Sequence, residues 1–103
     1  MLDLQPDQLR ELTAILQSMA PGCTVWAFGS RVNGHARRTS DLDLLVARPS
    51  GDKLPILQLA DLADALTESR LPMLVDVVDA ARCEAAFAAQ ARANGVLVQA
   101  AAT

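Results

Sequence analysis

Two aspartates separated by one residue, Asp41 and Asp43, are the part of the sequence best suited to chemistry. They begin the run DLDLLVA, whose pattern predicts a strand over residues 41–47, and alternate residues of a strand share one face. Neighbouring carboxylates repel each other and lose hydration when they are buried. A cation between them removes both costs, and Mg²⁺ binds carboxylate oxygens together with phosphates and waters. We therefore predict a metal site on this strand.

A glycine and a serine, Gly29 and Ser30, directly follow a second predicted strand over residues 24–28. Glycine lets a ligand approach the backbone closely. The N–H groups at the start of a helical turn, together with a hydroxyl, form a site for an anion. We predict that a phosphate tail binds here, opposite the metal.

The segment that follows Ser30 is polar and basic. Its arginines, Arg31, Arg37 and Arg38, can neutralise further phosphate charge, because a guanidinium donates several hydrogen bonds to phosphate oxygens. Two alternatives stay open: Arg31 could be a solvated helix residue, and the other two could form a solvated basic loop. The single histidine, His35, has no second histidine as a metal-binding partner and is assigned to the loop.

A third acidic residue, Asp76, interrupts the apolar run MLVDVV, which predicts a strand over residues 73–78. A carboxylate in such a strand either caps the strand end or has a ligand. If this strand lies beside residues 41–47, three carboxylates share the site, and two metal ions about 3.5–4 Å apart could clamp the attacking and leaving oxygens of a displacement. The nearby Asp79 precedes Ala80 and Ala81 and is predicted to be a helix cap.

The remaining sequence supplies one small domain over residues 1–103, with 51% hydrophobic and only 3% aromatic residues. Apolar periodicity predicts helices over residues 6–20, 54–70 and 81–94, and residues 96–98 are either a short strand or a docked tail. Residues 31–39 are predicted to form a short helical turn and a loop, which gives the order α-β-α-β-α-β-α. This link is too short for a crossover helix, so the first two strands should pair antiparallel or in a mixed sheet.

Charge and apolar pattern exclude two classes of partner. The formal net charge of −3 argues against direct binding of nucleic acid, which calls for clustered Lys and Arg. No apolar run approaches the roughly 20 residues that span a bilayer, and no signal peptide is visible, so we expect a cytoplasmic protein. The two cysteines, Cys23 and Cys83, form no metal motif and are predicted to be reduced thiols of the core.

The combination of G-S, ten residues, D-x-D and a later Asp in an apolar strand resembles the nucleotidyltransferase superfamily related to DNA polymerase beta. The short length resembles its minimal branch, and Ser40 completes the usual S-D-x-D form. The resemblance implies an α/β (α+β) fold, in which a mixed sheet of three to four strands is flanked by helices. It also implies two Mg²⁺ ions and the transfer of a nucleoside monophosphate, AMP from ATP, to a hydroxyl.

The resemblance also implies a role for each residue of the motif. Asp41 and Asp43 would ligate both metal ions, while Asp76 would ligate the catalytic ion and help to deprotonate the acceptor hydroxyl. Gly29 and Ser30 would hold the β- and γ-phosphates. The neighbouring side chains of the nucleotide-binding set are Arg31, Arg38 and Ser40.

Minimal domains of this kind resemble the antitoxin partners of HEPN toxins, in which setting AMP is transferred from ATP to a tyrosine of the toxin. A triphosphate site without a domain that reads an acceptor agrees with this, because a partner must then present the hydroxyl. Two other functions stay open: a non-catalytic, nucleotide-binding antitoxin or regulatory module, and a small-molecule nucleotidyltransferase. Homo-oligomerisation is also left open.

Overall fold

The structure, a computed structural model, describes residues 2–34, 36–37 and 40–101. Three helices and four strands follow one another along the chain: α1 (Pro6–Met19), β1 (Thr24–Phe28), β2 (Leu42–Ala47), α2 (Ile56–Thr67), β3 (Val75–Asp79), α3 (Ala85–Asn94) and β4 (Val96–Gln99). The segment after β1 forms a hydrogen-bonded turn over residues 30–34, which agrees with the predicted helical turn. Among the described residues of this segment there is no full helix, so the helix counted there in the predicted element order is reduced to this turn. The C-terminal segment, for which strand and docked tail were both open, is a strand.

The four strands form one mixed sheet in the order β3-β2-β1-β4, which confirms the predicted α+β architecture. β1 pairs antiparallel with β2 and with β4. β2 pairs parallel with β3, and the connection between these two strands contains α2. The β1–β2 and β2–β3 pairs differ in direction because their connecting segments differ in length. Parallel neighbours need a long crossover, whereas the short β1–β2 link allows only a reversal of direction.

Each face of the sheet packs against its own helices. Val25, Ala27 and Leu44 point to the face covered by α1 and α2, which we call the α1/α2 face. Trp26 and Leu45 point to the opposite face, covered by α3, which we call the α3 face. The core is aliphatic, as the scarcity of aromatic residues predicts. Its most completely buried large side chains are Leu12, Leu16, Leu42, Leu44, Leu45, Leu54, Leu62, Val25 and Val46.

Two further sequence-based expectations concern thiols and the membrane. Both cysteines are free, and Cys23 is buried while Cys83 is half-buried. Within the described part of the chain, no helix combines the length and apolar character needed to cross a bilayer.

The end of β3 is fixed by a buried carboxylate, Asp79, which is 2% exposed. It accepts hydrogen bonds from the backbone N–H groups of Leu54 at 2.8 Å and Ala81 at 2.9 Å. It also pairs with Arg82 at 3.2 Å, and the same guanidinium donates to the Leu54 carbonyl at 2.7 Å. Asp79 therefore caps the turn after β3 and also holds the loop that leads into α2. The predicted helix cap at Asp79 is wrong, because α3 begins only at Ala85 and its N-cap residue is Glu84.

We expect Asp79→Ala to lower the free energy of unfolding by about 2–4 kcal/mol, because it leaves a buried N–H without an acceptor and a guanidinium without its partner. Chemical denaturation at neutral pH measures the change. Asp52→Ala, at an exposed carboxylate, is the control and should stay within about 0.5 kcal/mol of the wild type. Equal destabilisation by the two variants would contradict this account of Asp79.

Candidate active site

The parallel register of β2 and β3 brings two of the predicted site residues together, since Asp43 lies directly opposite Asp76. Both point to the α3 face, because they alternate with residues of the other face along their strands. Asp41 is exposed and lies two residues before Asp43, just ahead of β2. The arrangement that would have ruled out a shared site, with Asp76 on the far side of the sheet, is not the one adopted.

The pKa of Asp43 shows the electrostatic effect of the other two carboxylates. Burial raises the pKa of Asp43 above its ordinary value, and the negative charges of Asp76 and Asp41 raise this pKa further. Among the described residues, no hydrogen bond or ion pair compensates the three carboxylates. Within the described part of the chain, the site is therefore a concentration of negative charge that no basic side chain pairs with, which is the environment that a divalent cation neutralises.

The donor set fits a hard divalent ion by its chemistry, although its side chains are not yet gathered around one point. Across the described residues, no three His, Cys, Asp or Glu side chains stand close enough to form a metal cluster. Carboxylates that repel one another, and that no described basic residue pairs with, can turn toward a cation. Asp41, Asp43 and Asp76 are the side chains placed to do so.

We call Asp41, Asp43 and Asp76 the charge cluster. Gly29 begins the predicted phosphate turn and lies directly beside Asp43 of this cluster. Its φ of +84° lies in the left-handed region, which side chains rarely adopt. A Cβ added here would also stand 2.5 Å from Oδ2 of Asp43, so only glycine leaves room for the carboxylate. The Gly29 carbonyl accepts the N–H groups of Val32 at 3.0 Å and Asn33 at 3.2 Å, which turns the chain directly beside Asp43. Ser30 is the half-buried residue at the start of this turn.

Arg31 is 6% exposed, so the alternative of a solvated helix residue is wrong. Its guanidinium donates to the backbone carbonyls of Ser40 at 3.0 Å, Asp3 at 3.0 Å and Arg37 at 3.5 Å. The Arg31 carbonyl in turn accepts the Asp3 N–H at 2.7 Å. Arg31 therefore fastens the N-terminal segment and the residue that precedes Asp41 to the phosphate turn, and its predicted contact with phosphate stays a prediction.

Ser40 also has an internal role. Its hydroxyl accepts the Arg37 N–H at 2.8 Å, and its own N–H donates to the Arg37 carbonyl at 3.0 Å. These bonds close the loop just before Asp41, so a phosphate contact by Ser40 stays a prediction. Arg37 itself is exposed. Arg38 and His35 lie outside the described residues.

A cavity of about 670 Å³ lies beside Asp41, and sequence reasoning did not anticipate it. Asp41 and Leu74 both lie on its lining, together with residues of the N-terminal segment, the loop at 36–37 and residues 72–73. These segments are distant in sequence, and no local pattern indicates that they meet. Leu74 carries the one weak signal, since it is a large apolar residue just before the acidic strand.

Replacing Gly29 should disturb the site by two separable effects. Gly29→Ala is strained by its positive φ and displaces the Asp43 carboxylate, so we expect binding of Mg²⁺ with a triphosphate to weaken about tenfold or more. Gly51→Ala is the matched control, because Gly51 has a φ of +80° and open space where its Cβ would be. Calorimetric titration with Mg²⁺ and AMP-PNP measures both variants. Equal affinities would show that the contact with Asp43 is irrelevant.

Removing the charge of Asp43 should stabilise the metal-free fold at neutral pH. The folded protein holds the pKa of Asp43 above the unfolded value, so ionisation of Asp43 opposes folding. This penalty is absent below the ordinary pKa of 3.8, grows as pH rises through the folded pKa, and is constant above it. In EDTA, Asp43→Asn should therefore unfold at a higher temperature than the wild type at pH 7. The difference should fade as pH approaches 3.8, and thermal unfolding across this range measures it.

Comparison with known proteins agrees with this geometry. The family model described as "Polymerase beta, Nucleotidyltransferase" matches residues 10–101 of the chain. The chain is also 41% identical over 98 residues to the probable protein adenylyltransferase MntA of Haemophilus influenzae, covering 95% of this chain and 84% of that one.

Solved structures share the fold. A toxin–antitoxin crystal structure with AMP-PNP superposes with a TM-score of 0.74 at 25% identity, over 89% of this chain and 73% of that chain. The toxin–antitoxin MntA–HepT superposes with a TM-score of 0.69 at 22% identity, over 93% of this chain and 73% of that chain. The resemblance inferred from the G-S and D-x-D motifs is confirmed, and this chain belongs to the polymerase beta-like nucleotidyltransferase family.

Proposed function

We propose that this chain is a metal-dependent protein adenylyltransferase, which moves AMP from ATP to a hydroxyl of a HEPN-type toxin and acts in the cytoplasm as its antitoxin. The observation that carries the proposal is the placement of Asp43 and Asp76 side by side, next to the Gly29 turn. Support comes from the adenylyltransferase name of the 41% identical relative and from the toxin–antitoxin structure with AMP-PNP.

The proposed metal site consists of Asp41, Asp43 and Asp76, which would hold two Mg²⁺ ions. Bound ions would neutralise the triphosphate and polarise the phosphorus that is attacked. The raised pKa of Asp43 supports this assignment, because burial and, after it, the charges of Asp76 and Asp41 disfavour the ionised carboxylate in the absence of positive charge. Metal binding should release a proton where Asp43 is still protonated.

The phosphate turn and the third carboxylate would divide the remaining work. The backbone at Gly29 and Ser30 would hold the β- and γ-phosphates, so that pyrophosphate leaves toward this turn. Asp76 would accept the proton of the acceptor hydroxyl as its oxygen bonds to the α-phosphorus and the bond from that phosphorus to the bridging oxygen breaks. Arg31 would act indirectly, by fixing the Ser40 peptide that precedes Asp41.

Loss of the paired carboxylates distinguishes catalysis from simple binding. We expect the double variant Asp41→Asn/Asp43→Asn to lose AMP transfer by about 10²-fold or more, because it removes the charges that would position the metal ions and the triphosphate. The assay combines purified protein, the HEPN-type partner, radiolabelled ATP and Mg²⁺, and it follows label on the partner. Asp61→Asn/Asp64→Asn on the exposed side of α2 is the matched control.

Partner binding by the double variant completes the assay. Retained binding with lost transfer supports the enzyme. If the wild type binds the partner and nucleotide but transfers no label, the chain is a non-catalytic binding module. If label appears on an added small hydroxyl compound and never on the partner, the chain is a small-molecule nucleotidyltransferase.

A further inference from the structure

We propose that the adenine base of the nucleotide binds in a small pocket between β1 and α3, where Phe87 stacks on the base and two carboxamides read its edge. The pocket has a volume of about 170 Å³ and is lined by Phe28, Gly29, Phe87, Gln90, Ala91 and Asn94. This inference rests on the nucleotide site of the proposed function. It adds the residues that select the base, which a motif for phosphate and metal does not provide.

The pocket adjoins the groups that would hold the phosphates and the metal. Phe28 lies directly opposite Asp43 in the antiparallel pair of β1 and β2, so their side chains share the α3 face with Cβ atoms roughly 5 Å apart. Gly29 lines the pocket and also stands beside the Asp43 carboxylate. A base is joined to the α-phosphorus through the ribose. A base in this pocket therefore keeps its phosphates near the carboxylates and the phosphate turn.

The lining of the pocket favours a neutral ligand of limited size. None of the described residues that line it carries a charge, whereas Asp3, Arg31 and Arg37 line the larger cavity beside Asp41. A phosphate or a charged side chain would lose hydration here without gaining a counter-charge. The volume is below the roughly 300–1,000 Å³ of pockets that enclose a whole small molecule. The pocket therefore suits one ring system better than an entire nucleotide.

Phe87 supplies an aromatic surface for such a ring. Its side chain is 44% exposed although it is large and apolar. Phe28 meets it in an edge-to-face contact, with ring centroids 5.6 Å apart and an interplanar angle of 85°. This contact holds the Phe87 ring in place, and the exposed part of the ring is available to stack on a base.

Two carboxamides extend from the same side of α3 as Phe87. Gln90 and Asn94 follow Phe87 by three and seven positions, and residues with this spacing share one face of a helix. Both are exposed, and no hydrogen bond joins either side chain to another described residue. A carboxamide offers a donor and an acceptor side by side, which matches the N6 amino group and adjacent ring nitrogen of adenine. Guanine presents O6 at the corresponding position, where the amide oxygen finds no donor.

The first test changes the hydrogen bonding of Gln90 at nearly constant size. Gln90→Glu has acceptors only, so a ring nitrogen of adenine loses its donor, while guanine offers its own N–H donors to the carboxylate. We expect the ratio of AMP-PNP to GMP-PNP affinity, measured by calorimetric titration with Mg²⁺, to fall about tenfold. The added charge acts on both triphosphates alike, so the ratio isolates the base. Gln17→Glu on the exposed side of α1 is the matched control and should keep the wild-type ratio.

The second test removes the aromatic surface. Phe87→Ala should weaken AMP-PNP binding about tenfold, which is the loss of one stacking contact, and should leave the binding of inorganic triphosphate with Mg²⁺ unchanged. Phe87→Trp keeps an aromatic ring and should bind AMP-PNP as the wild type does. Leu57→Ala, at an exposed apolar side chain on α2, should change neither affinity.

Three results would overturn the proposal. One is a wild type without preference for AMP-PNP over GMP-PNP, or a Gln90→Glu variant with an unchanged ratio. Another is Phe87→Ala weakening inorganic triphosphate as strongly as AMP-PNP, which would assign the ring to the phosphate turn. The third is a rise in KM for the HEPN-type partner with nucleotide affinities unchanged, which would assign the pocket to the partner. A wild type that shows the base preference but transfers no AMP overturns the proposed activity and leaves the base pocket standing.

Discussion

The burial of one carboxylate beside other carboxylates, on two neighbouring parallel strands, is the constraint around which this domain is organised. Asp43 and Asp76 are in register, and Asp41 adds its charge from just before β2. Such a cluster opposes folding at neutral pH unless something positive binds to it. The fold therefore accepts a local cost in the free protein, and a metal ion with a triphosphate is the kind of ligand that would relieve it.

The surrounding structure holds the cluster in place by backbone contacts rather than by counter-charges. Gly29 leaves space for the Asp43 carboxylate, and Arg31 ties the peptide before Asp41 to the N-terminal segment. Asp79 performs a comparable task at the other end of β3, where it binds the loop before α2. The guanidiniums of Arg31 and Arg82 bind backbone carbonyls and Asp79, so neither of them neutralises the carboxylates of the site.

Local patterns were sufficient to predict the strands and the carboxylates, because alternation and turn residues act over a few positions. The antiparallel β1–β2 pair also followed from the short link between the two strands. The role of Arg31 could not be predicted from the sequence. Its hydrogen-bond acceptors belong to Asp3 and Ser40, and neither helical nor strand periodicity indicates that these residues meet Arg31. The cavity beside Asp41 was missed for the same reason. Register between β2 and β3 was a hypothesis from sequence, and only tertiary packing decides it.

The carboxylates of the site are open to solvent, and the proposed chemistry would be favoured if a partner protein displaced that water. α3 packs on β1 and β2, and both Asp41 and Asp76 remain exposed. Electrostatic stabilisation is weak in a site that water fills and strengthens when water is displaced. An acceptor protein seated over these carboxylates would displace that water as its hydroxyl arrives. The proposed function thus accounts for a site that stands open in the isolated domain.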